Sequence, residues 1–303
     1  MNPETALVPP RRMNTTGNGS IVAGEFVMTS QNFQHIADML YADAGIELPQ
    51  SKAMLVYSRL AKRLRELQFS SFNEYCDFAA GPNGAAERRK MLSALTTNVT
   101  SFFRENHHFE HLKTVALPPL LQSAQKGDRV RIWSAGCSTG QEPYSIALTL
   151  LGMEPKAAQL DIRILATDID PQVLKFGARG VYEEAALSAV PPELKRTYFS
   201  PADTESAQEW RVGEVPRKLI SFMELNLNGH WPMKGRFDII FCRNVVIYFS
   251  TQTQQAIWSN MAQKLMPGSW LYIGHSERVS GAATPDFTSA GITTYRYKAK
   301  ATS

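Results

Sequence analysis

The spacing of hydrophobic residues changes about one third of the way along the chain. Between residues 30 and 95, apolar positions recur every three or four residues, which is the spacing of one face of an α-helix. This pattern predicts four helices: one that begins after Ser30 as N-cap and ends at Gly45, and others over about 51–67, 71–80 and 85–95. Beyond residue 126, short apolar runs alternate with helical stretches, which is typical of a parallel sheet covered by helices.

These patterns divide the chain into segments. Residues 1–28 are rich in Asn, Thr, Gly, Pro and Ser and are predicted to be a disordered tail. Residues 29–95 are expected to form a helical N-terminal domain, and residues 96–125 a linker and a helix. Residues 126–303 are expected to form an α/β domain, interrupted over about 180–222 by an antiparallel insertion.

The stretch 131–150 reads as a strand, a glycine-bearing turn and a helix. Gly136 and Gly140 permit a tight turn and close approach of a ligand, but the spacing is not that of the dinucleotide fingerprint. Glu142 lies where the helix begins, and a carboxylate there favours a ligand with hydroxyl groups or a positive charge over a phosphate. S-adenosylmethionine has those groups and no phosphate. An ordinary strand–helix turn is the alternative.

Polar residues follow two other predicted strands. Asp168 and Asp170 come after an apolar run, and Arg243 and Asn244 follow the run that begins at Asp238. The carboxyl ends of parallel strands share one edge of a sheet, so these residues are expected at the same crevice as Gly136. Asp168 is the candidate acceptor for ribose hydroxyls, whereas Asp170 is expected to cap the next helix.

Two further groups of polar residues have open interpretations. Asn98, Thr100 and Arg104 lie in a polar segment with two phenylalanines, which could line a site or be a capped linker. Lys52, Arg59 and Arg63 share one face of the second helix. That face could be solvated, or it could dock an acidic helix.

Composition excludes several classes of protein. The chain has 303 residues, 44% of them hydrophobic, and a net charge of +4, which is too mild to establish nucleic-acid binding. No apolar run approaches 18 residues and no signal-peptide pattern is present, so neither a membrane span nor secretion is expected. The three cysteines are scattered, as in a cytosolic protein. His107–His111 matches H-x-x-E-H, which we interpret as a chance match and not a metal site.

Five ordered motifs resemble one known family. They are TTNVTSFFRE (96–105), WSAGCSTGQEPYS (133–145), ATDID (166–170), LNL (225–227) and FCRNVVIYF (241–249). With these motifs the chain resembles the chemotaxis receptor glutamate methyltransferases of the CheR family, from about residue 30 to 298. Gly136 and Cys137 stand where some members carry alanines, a change that should be tolerated.

The resemblance implies an α/β fold: a class I S-adenosylmethionine-dependent methyltransferase (Rossmann-like) domain with a small antiparallel β subdomain, preceded by an all-helical domain. It implies S-adenosylmethionine as cofactor, S-adenosylhomocysteine as product, and no metal. Arg104 and Tyr248 are the positions associated with catalysis, and the basic helix with Lys52, Arg59 and Arg63 is associated with substrate docking. The implied cofactor contacts are Asn98, Thr100, Arg104, Glu142, Asp168, Asn226, Leu227, Arg243 and Asn244.

The implied partners are the cytoplasmic signalling helices of membrane chemotaxis receptors. In some members the antiparallel subdomain also docks a receptor C-terminal peptide. The resemblance implies a cytoplasmic enzyme that binds no nucleic acid and does not insert into the membrane. The alternatives are a non-catalytic S-adenosylmethionine-binding scaffold and a methyltransferase for another acceptor. Enzymes that N-methylate adenine or cytosine favour an Asn/Asp-Pro-Pro-aromatic loop after the strand that begins at Asp238. Here that loop reads Arg-Asn-Val-Val, which counts against such an acceptor.

Overall fold

A computed structural model describes residues 19–22, 24–203 and 208–298. The strands are β1 (Ser20–Val22), β2 (Met28–Thr29), β3 (Val130–Ala135), β4 (Ile162–Asp168), β5 (Val181–Glu183), β6 (Phe199–Pro201), β7 (Glu209–Val212), β8 (Ile220–Glu224), β9 (Phe237–Cys242), β10 (Leu265–Ile273), β11 (Phe287–Gly291) and β12 (Thr294–Tyr297). The α-helices are α1 (Ser30–Ala44), α2 (Ala53–Leu67), α3 (Phe72–Ala80), α4 (Ala85–Leu95), α5 (His107–His111), α6 (Leu117–Gln125), α7 (Gln141–Met153), α8 (Pro171–Arg179), α9 (Pro192–Tyr198), α10 (Glu214–Lys218) and α11 (Thr251–Lys264).

Helices α1 to α4 form the predicted helical unit around a shared apolar core. The first helix is capped by Thr29 and not by Ser30, because the Thr29 side chain accepts the backbone N–H of Asn32. It ends at Gly45, which takes the left-handed conformation (φ 73°) and so terminates the helix without a Cβ clash.

The tail predicted over residues 1–28 extends too far. Strands β1 and β2 pair antiparallel, and Val22, Phe26 and Met28 are buried in the core of the helical unit. The ring of Phe26 packs edge-on against Phe72, with centroids 6.4 Å apart. The apolar stretches 21–23 and 26–28 are too short to predict a strand on their own. Residues 1–18 of the predicted tail lie outside the described residues.

The basic face predicted on α2 holds the helical unit together. The Nη1 atom of Arg59 donates to the carbonyls of Ala94, Leu95 and Thr96, which satisfies acceptors left free where α4 ends. Arg63 binds both carboxylate oxygens of the buried Glu87, at 2.9 and 2.7 Å. Of the three predicted docking residues, only the side chain of Lys52 is exposed.

A seven-stranded sheet forms the second unit, in the order β11-β12-β10-β9-β3-β4-β8 within the described residues. The strands from β10 to β8 run parallel, and β12 is antiparallel to both of its neighbours. Strands β11 and β12 therefore close one edge of the sheet as an antiparallel pair. Helices α6, α7 and α11 pack their apolar faces on this sheet.

The antiparallel insertion is shorter than predicted. Its sheet has the order β5-β7-β6, with both pairs antiparallel. Strand β8, which we had predicted as part of the insertion, pairs parallel with β4 through Ile164↔Ile220 to Asp168↔Glu224. It therefore belongs to the main sheet, and the boundary at 222 is wrong. The sequence of a five-residue strand does not by itself indicate which strand will be its partner.

None of the helices in the described part of the chain has the length and apolar character needed to cross a lipid bilayer.

We expect Arg63→Met to lower the free energy of unfolding by about 3 kcal/mol, because Glu87 would remain buried without its cation. Lys62→Met is the matched control on the same helix. Its ion pair with Glu66 spans 4.0 Å and its side chain is 75% exposed, so its effect should stay below about 0.5 kcal/mol. Urea unfolding measures both. Equal effects of the two substitutions would contradict the structural role of Arg63.

Candidate active site

A cleft of about 1010 Å³, including its part open to solvent, lies at the carboxyl ends of β3, β4 and β9. The linker covers one side of it, and Ala44, Ile46 and Leu95 of the helical unit form another wall. The structure brings all of the predicted cofactor and catalytic residues to this cleft: Asn98, Thr100, Arg104, Glu142, Asp168, Asn226, Leu227, Arg243, Asn244 and Tyr248. The predicted docking residues Lys52, Arg59 and Arg63 do not line it.

The turn between β3 and α7 depends on both of its glycines. Gly136 has φ 75°, and a Cβ there would lie 2.3 Å from Cγ2 of Val245. Gly140 has φ 95°, and a Cβ there would lie 2.9 Å from Cα of Gly177. A larger residue would be strained by its backbone angle and would displace its neighbour at either position.

Asp168 is fixed by backbone groups at the end of β4. Its Oδ2 accepts the N–H of Ser138 at 2.8 Å and its Oδ1 accepts that of Asp170 at 3.0 Å. Burial raises the pKa of Asp168, and the two N–H groups oppose that shift. Asp170 caps α8 as predicted, through the N–H of Gln172. Asp168 therefore presents a buried carboxylate to the cleft with lone pairs to spare.

Asp170 also joins the three parts of the chain. Besides capping α8, its carboxylate accepts the Ser93 hydroxyl of the helical unit at 2.7 Å and the Asn98 amide of the linker at 3.3 Å. The Asn98 carbonyl in turn accepts the Ser138 hydroxyl of the glycine turn at 2.9 Å. The linker is thus held on the edge of the sheet by polar side chains.

Arg243 lies between two carboxylates. Its Nη1 is 3.2 Å from Oε2 of Glu142 and its Nη2 is 3.4 Å from Oε2 of Glu105. Nη2 also donates to the carbonyl of Arg104. Burial raises the pKa of Glu142, although Arg243 and the Ser134 hydroxyl oppose it. Burial would also raise the pKa of Glu105, but Arg243, His275 and His108 hold it below its usual value.

Glu105, His107 and His108 are the only described residues that group three potential metal ligands, whose atoms lie within 4.8 Å of one another. The carboxylate of Glu105 is already paired with Arg243, whose guanidinium also pairs with Glu142. His111 of the H-x-x-E-H match is elsewhere engaged, because its Nδ1 bonds the Tyr272 hydroxyl at 2.9 Å. Two residues of the grouping therefore already have partners: Glu105 pairs with Arg243, and Nε2 of His108 contacts the Thr293 hydroxyl.

Sequence reasoning missed Glu277. Strand β10 ends at Ile273, and Glu277 lies in the turn beyond it. Its buried carboxylate accepts the backbone N–H groups of Asn244, Val245, Val246 and Gly274. The available signal was its position. Glu277 is an acid just after β10, and β10 is the neighbour of β9, which Asn244 follows. The walls supplied by Ala44 and Ile46 had no local signal.

The parallel sheet, the glycine turn and the acid-lined cleft at the strand ends define a Rossmann-like, S-adenosylmethionine-dependent methyltransferase of class I. Comparison with known families agrees. Residues 98–296 match the family described as CheR methyltransferase, SAM binding domain, and residues 31–96 match CheR methyltransferase, all-alpha domain. The chain therefore belongs to the CheR methyltransferase family.

Three relatives illustrate the family. A probable chemotaxis protein methyltransferase of Rhizobium etli is 56% identical over 86% of this chain and 98% of its own length. Chemotaxis protein methyltransferase 2 of Pseudomonas aeruginosa is 42% identical over 84% of this chain and 88% of its own. The chemotaxis protein methyltransferase of Salmonella typhimurium is 36% identical over 88% of this chain and 90% of its own.

The site predicts a pH dependence of stability. Burial, with help from Arg243 and His107, lowers the pKa of His108 from 6.5 to about 3. Between those values the unfolded chain binds a proton that the folded chain does not, so this contribution to stability is present above pH 6.5 and is lost as the pH falls. Between pH 7.5 and 5.5 the wild type should lose about 1 kcal/mol more than His108→Gln.

Urea unfolding at both pH values measures this difference. Glutamine is a suitable replacement because it can keep a bond to the Thr293 hydroxyl, which His108 Nε2 contacts at 2.9 Å. Identical pH slopes in the two proteins would show that the burial of His108 does not act in this way.

Proposed function

We propose that this protein transfers the methyl group of S-adenosylmethionine to glutamate side chains of chemotaxis receptors, giving glutamyl methyl esters. The observation that carries the proposal is the cleft: in a member of the CheR family, the residues that the family pattern assigns to cofactor and catalysis converge on one cavity. We propose further that the enzyme acts in the cytoplasm, on the signalling helices of membrane receptors.

The chemistry of the donor set fits S-adenosylmethionine. Asp168 offers a buried carboxylate to ribose hydroxyls, as acids at this strand end do in related folds. Glu142 places a second carboxyl group in the cleft lining beside Arg243, which suits a ligand with both positive and negative groups. The side chain of Asn226 is held by the Asp43 carbonyl and by the Asn228 N–H, so it stiffens this wall of the cleft.

The proposed reaction needs positioning more than acid–base chemistry. Bound S-adenosylmethionine supplies an electrophilic methyl group on a sulfonium. The accepting glutamate is already ionised at neutral pH, since its usual pKa is about 4.3, so no general base is required. Holding the carboxylate in line can supply roughly 7–11 kcal/mol in favourable cases.

Arg104 and Tyr248 are the residues proposed to hold the accepting carboxylate. The Nη1 atom of Arg104 donates to the Val99 carbonyl at 3.0 Å, which leaves other donors of its guanidinium fork for a carboxylate. Tyr248 is 37% exposed at the cleft and follows the strand end that carries Arg243. Both would orient the acceptor, and Tyr248 would also shape the path of the methyl group.

The test uses methyl-labelled S-adenosylmethionine, this protein and receptor-containing membranes from the same organism. We expect label on a receptor-sized band that alkali releases as volatile methanol, because carboxyl methyl esters hydrolyse readily. Alkali-stable label would indicate another acceptor, and no label despite cofactor binding would favour a non-catalytic scaffold. Receptors that lack their C-terminal peptide test whether the β5-β7-β6 sheet also holds that peptide.

Arg104→Ala separates catalysis from folding in this assay. The substitution removes the guanidinium but keeps the backbone carbonyl that Arg243 contacts. We expect turnover to fall by about ten- to a hundredfold, with a smaller change in the Kd for S-adenosylhomocysteine measured by calorimetry. Normal turnover with intact cofactor binding would refute the role of Arg104.

Docking on an acidic receptor helix is proposed for the basic face of α2. Lys52, in the 3-10 turn just before α2, supplies the exposed charge beside this face. Arg59 and Arg63 are held by α4, so reversing their charges would disturb the fold. Lys52→Glu should slow methylation roughly threefold at low salt, with a smaller effect at high salt. Lys113→Glu, an exposed position of equal charge on the linker side, is the control. Equal rates for the two variants would contradict docking at Lys52.

A further inference from the structure

We propose that Glu277 is a positioning residue that holds the segment 244–246 in the conformation that binds the cofactor. The inference rests on the proposed function only through cofactor binding. Its starting point is a convergence of backbone groups. Oε1 of Glu277 accepts the N–H groups of Val245 and Val246, each at 2.9 Å, and Oε2 accepts those of Asn244 at 2.9 Å and Gly274 at 2.6 Å.

These four donors satisfy a carboxylate completely. An ionised carboxylate has about four lone-pair sites and no donor of its own, and Glu277 as a residue is only 4% exposed. Burial raises the pKa of Glu277, whereas the four N–H groups lower it. Three consecutive N–H groups point to one side, which is a concave backbone arrangement suited to an anion. Here the protein supplies the anion from the adjacent strand end.

The backbone of this segment is unusual at Asn244. This residue has φ 58°, in the left-handed region, which Asn adopts more readily than most non-glycine residues. Gly274 lies against it on the other side, where a Cβ would be 2.6 Å from both the backbone N and the Nδ2 of Asn244. Asn244 is therefore confined between Glu277 and Gly274.

Both sides of the cleft depend on this segment. Asn244 lines the cleft directly. Val245 packs on Gly136, so it also sets the space over the glycine turn. Val246 begins the 3-10 turn Val246–Tyr248, which carries the proposed acceptor-binding tyrosine. One carboxylate outside the cleft lining thus fixes the parts that would hold the cofactor and the acceptor.

Glu277→Gln tests the proposal. The amide nitrogen would face two backbone N–H donors, so two of the four bonds are replaced by repulsion. We expect the Kd for S-adenosylhomocysteine, measured by calorimetry on the full chain, to rise by about ten- to a hundredfold, since bonds to charged groups are the strong ones.

Asp238→Asn is the matched control. Asp238 is a partly buried carboxylate near the amino end of β9, and the segment 244–246 follows the carboxyl end of that strand. Asp238 accepts the N–H of Arg131 at 2.8 Å. This variant should lose some stability and keep its Kd, because it lies at the amino edge of the sheet. If Glu277 only stabilised the fold, folded Glu277→Gln and folded Asp238→Asn would have similar Kd values for S-adenosylhomocysteine.

Hydrogen exchange is a second measurement, and its wild-type part remains informative even if the Glu277→Gln variant does not fold. In the ligand-free wild type, the amides of Asn244, Val245, Val246 and Gly274 should be protected, and in Glu277→Gln they should exchange faster than the amides within β9 and β10. Gly274→Ala, which crowds Asn244 from the other side, should also raise the Kd.

Unprotected amides in the wild type, or an unchanged Kd in both Glu277→Gln and Gly274→Ala, would overturn the proposal. A wild-type protein that binds neither S-adenosylmethionine nor S-adenosylhomocysteine would instead count against the proposed function. The two failures are therefore distinguishable.

Discussion

The candidate site depends on one buried cation. Arg243 extends from the end of β9 and joins Glu142 of α7, Glu105 of the linker and the carbonyl of Arg104. The glycine turn, the sheet and the linker are thus held by a single guanidinium whose side chain is 2% exposed. A buried charge is tolerated only when it is paired and hydrogen-bonded. If one of these elements moved alone, Arg243, Glu105 or Glu142 would be left buried without its ionic partner.

The helical unit contributes to the site and is more than an appendage. The chain after α1 forms an antiparallel bridge between Ile46 and Phe249, and the N–H of Glu47 donates to the Tyr248 carbonyl at 2.8 Å. The amide of Asn226 reaches the Asp43 carbonyl from the other side. These bonds place the end of α1 over the cleft, which explains why Ala44 and Ile46 line it. In this arrangement the unit that carries Lys52 also closes the proposed cofactor site.

The geometry suits a transfer reaction governed by orientation. Rigid backbone positions surround the cleft: the glycine turn against Val245, the linker bonded through Asn98, and the segment at Asn244 held from the neighbouring strand. Preorganised sites of this kind lower a barrier by fixing the reactants before reaction. The side chains proposed to meet the acceptor, Arg104 and Tyr248, are by contrast partly exposed, as is needed for a protein substrate to reach them.

The sequence by itself determined the parts of the structure that local chemistry controls. Helical periodicity predicted α1 to α4. The glycines and the acids at strand ends predicted the glycine turn between β3 and α7, the positions of Glu142 and Asp168, and the capping of α8 by Asp170. Motif order determined the family. Tertiary structure alone decided which partner each polar group takes. Arg59 and Arg63 turned out to bind α4, β8 joined the main sheet, and Glu277 met the backbone of Asn244 across a strand boundary. These contacts join residues far apart in sequence, and no local spacing encodes them because many burial-compatible pairings share one pattern.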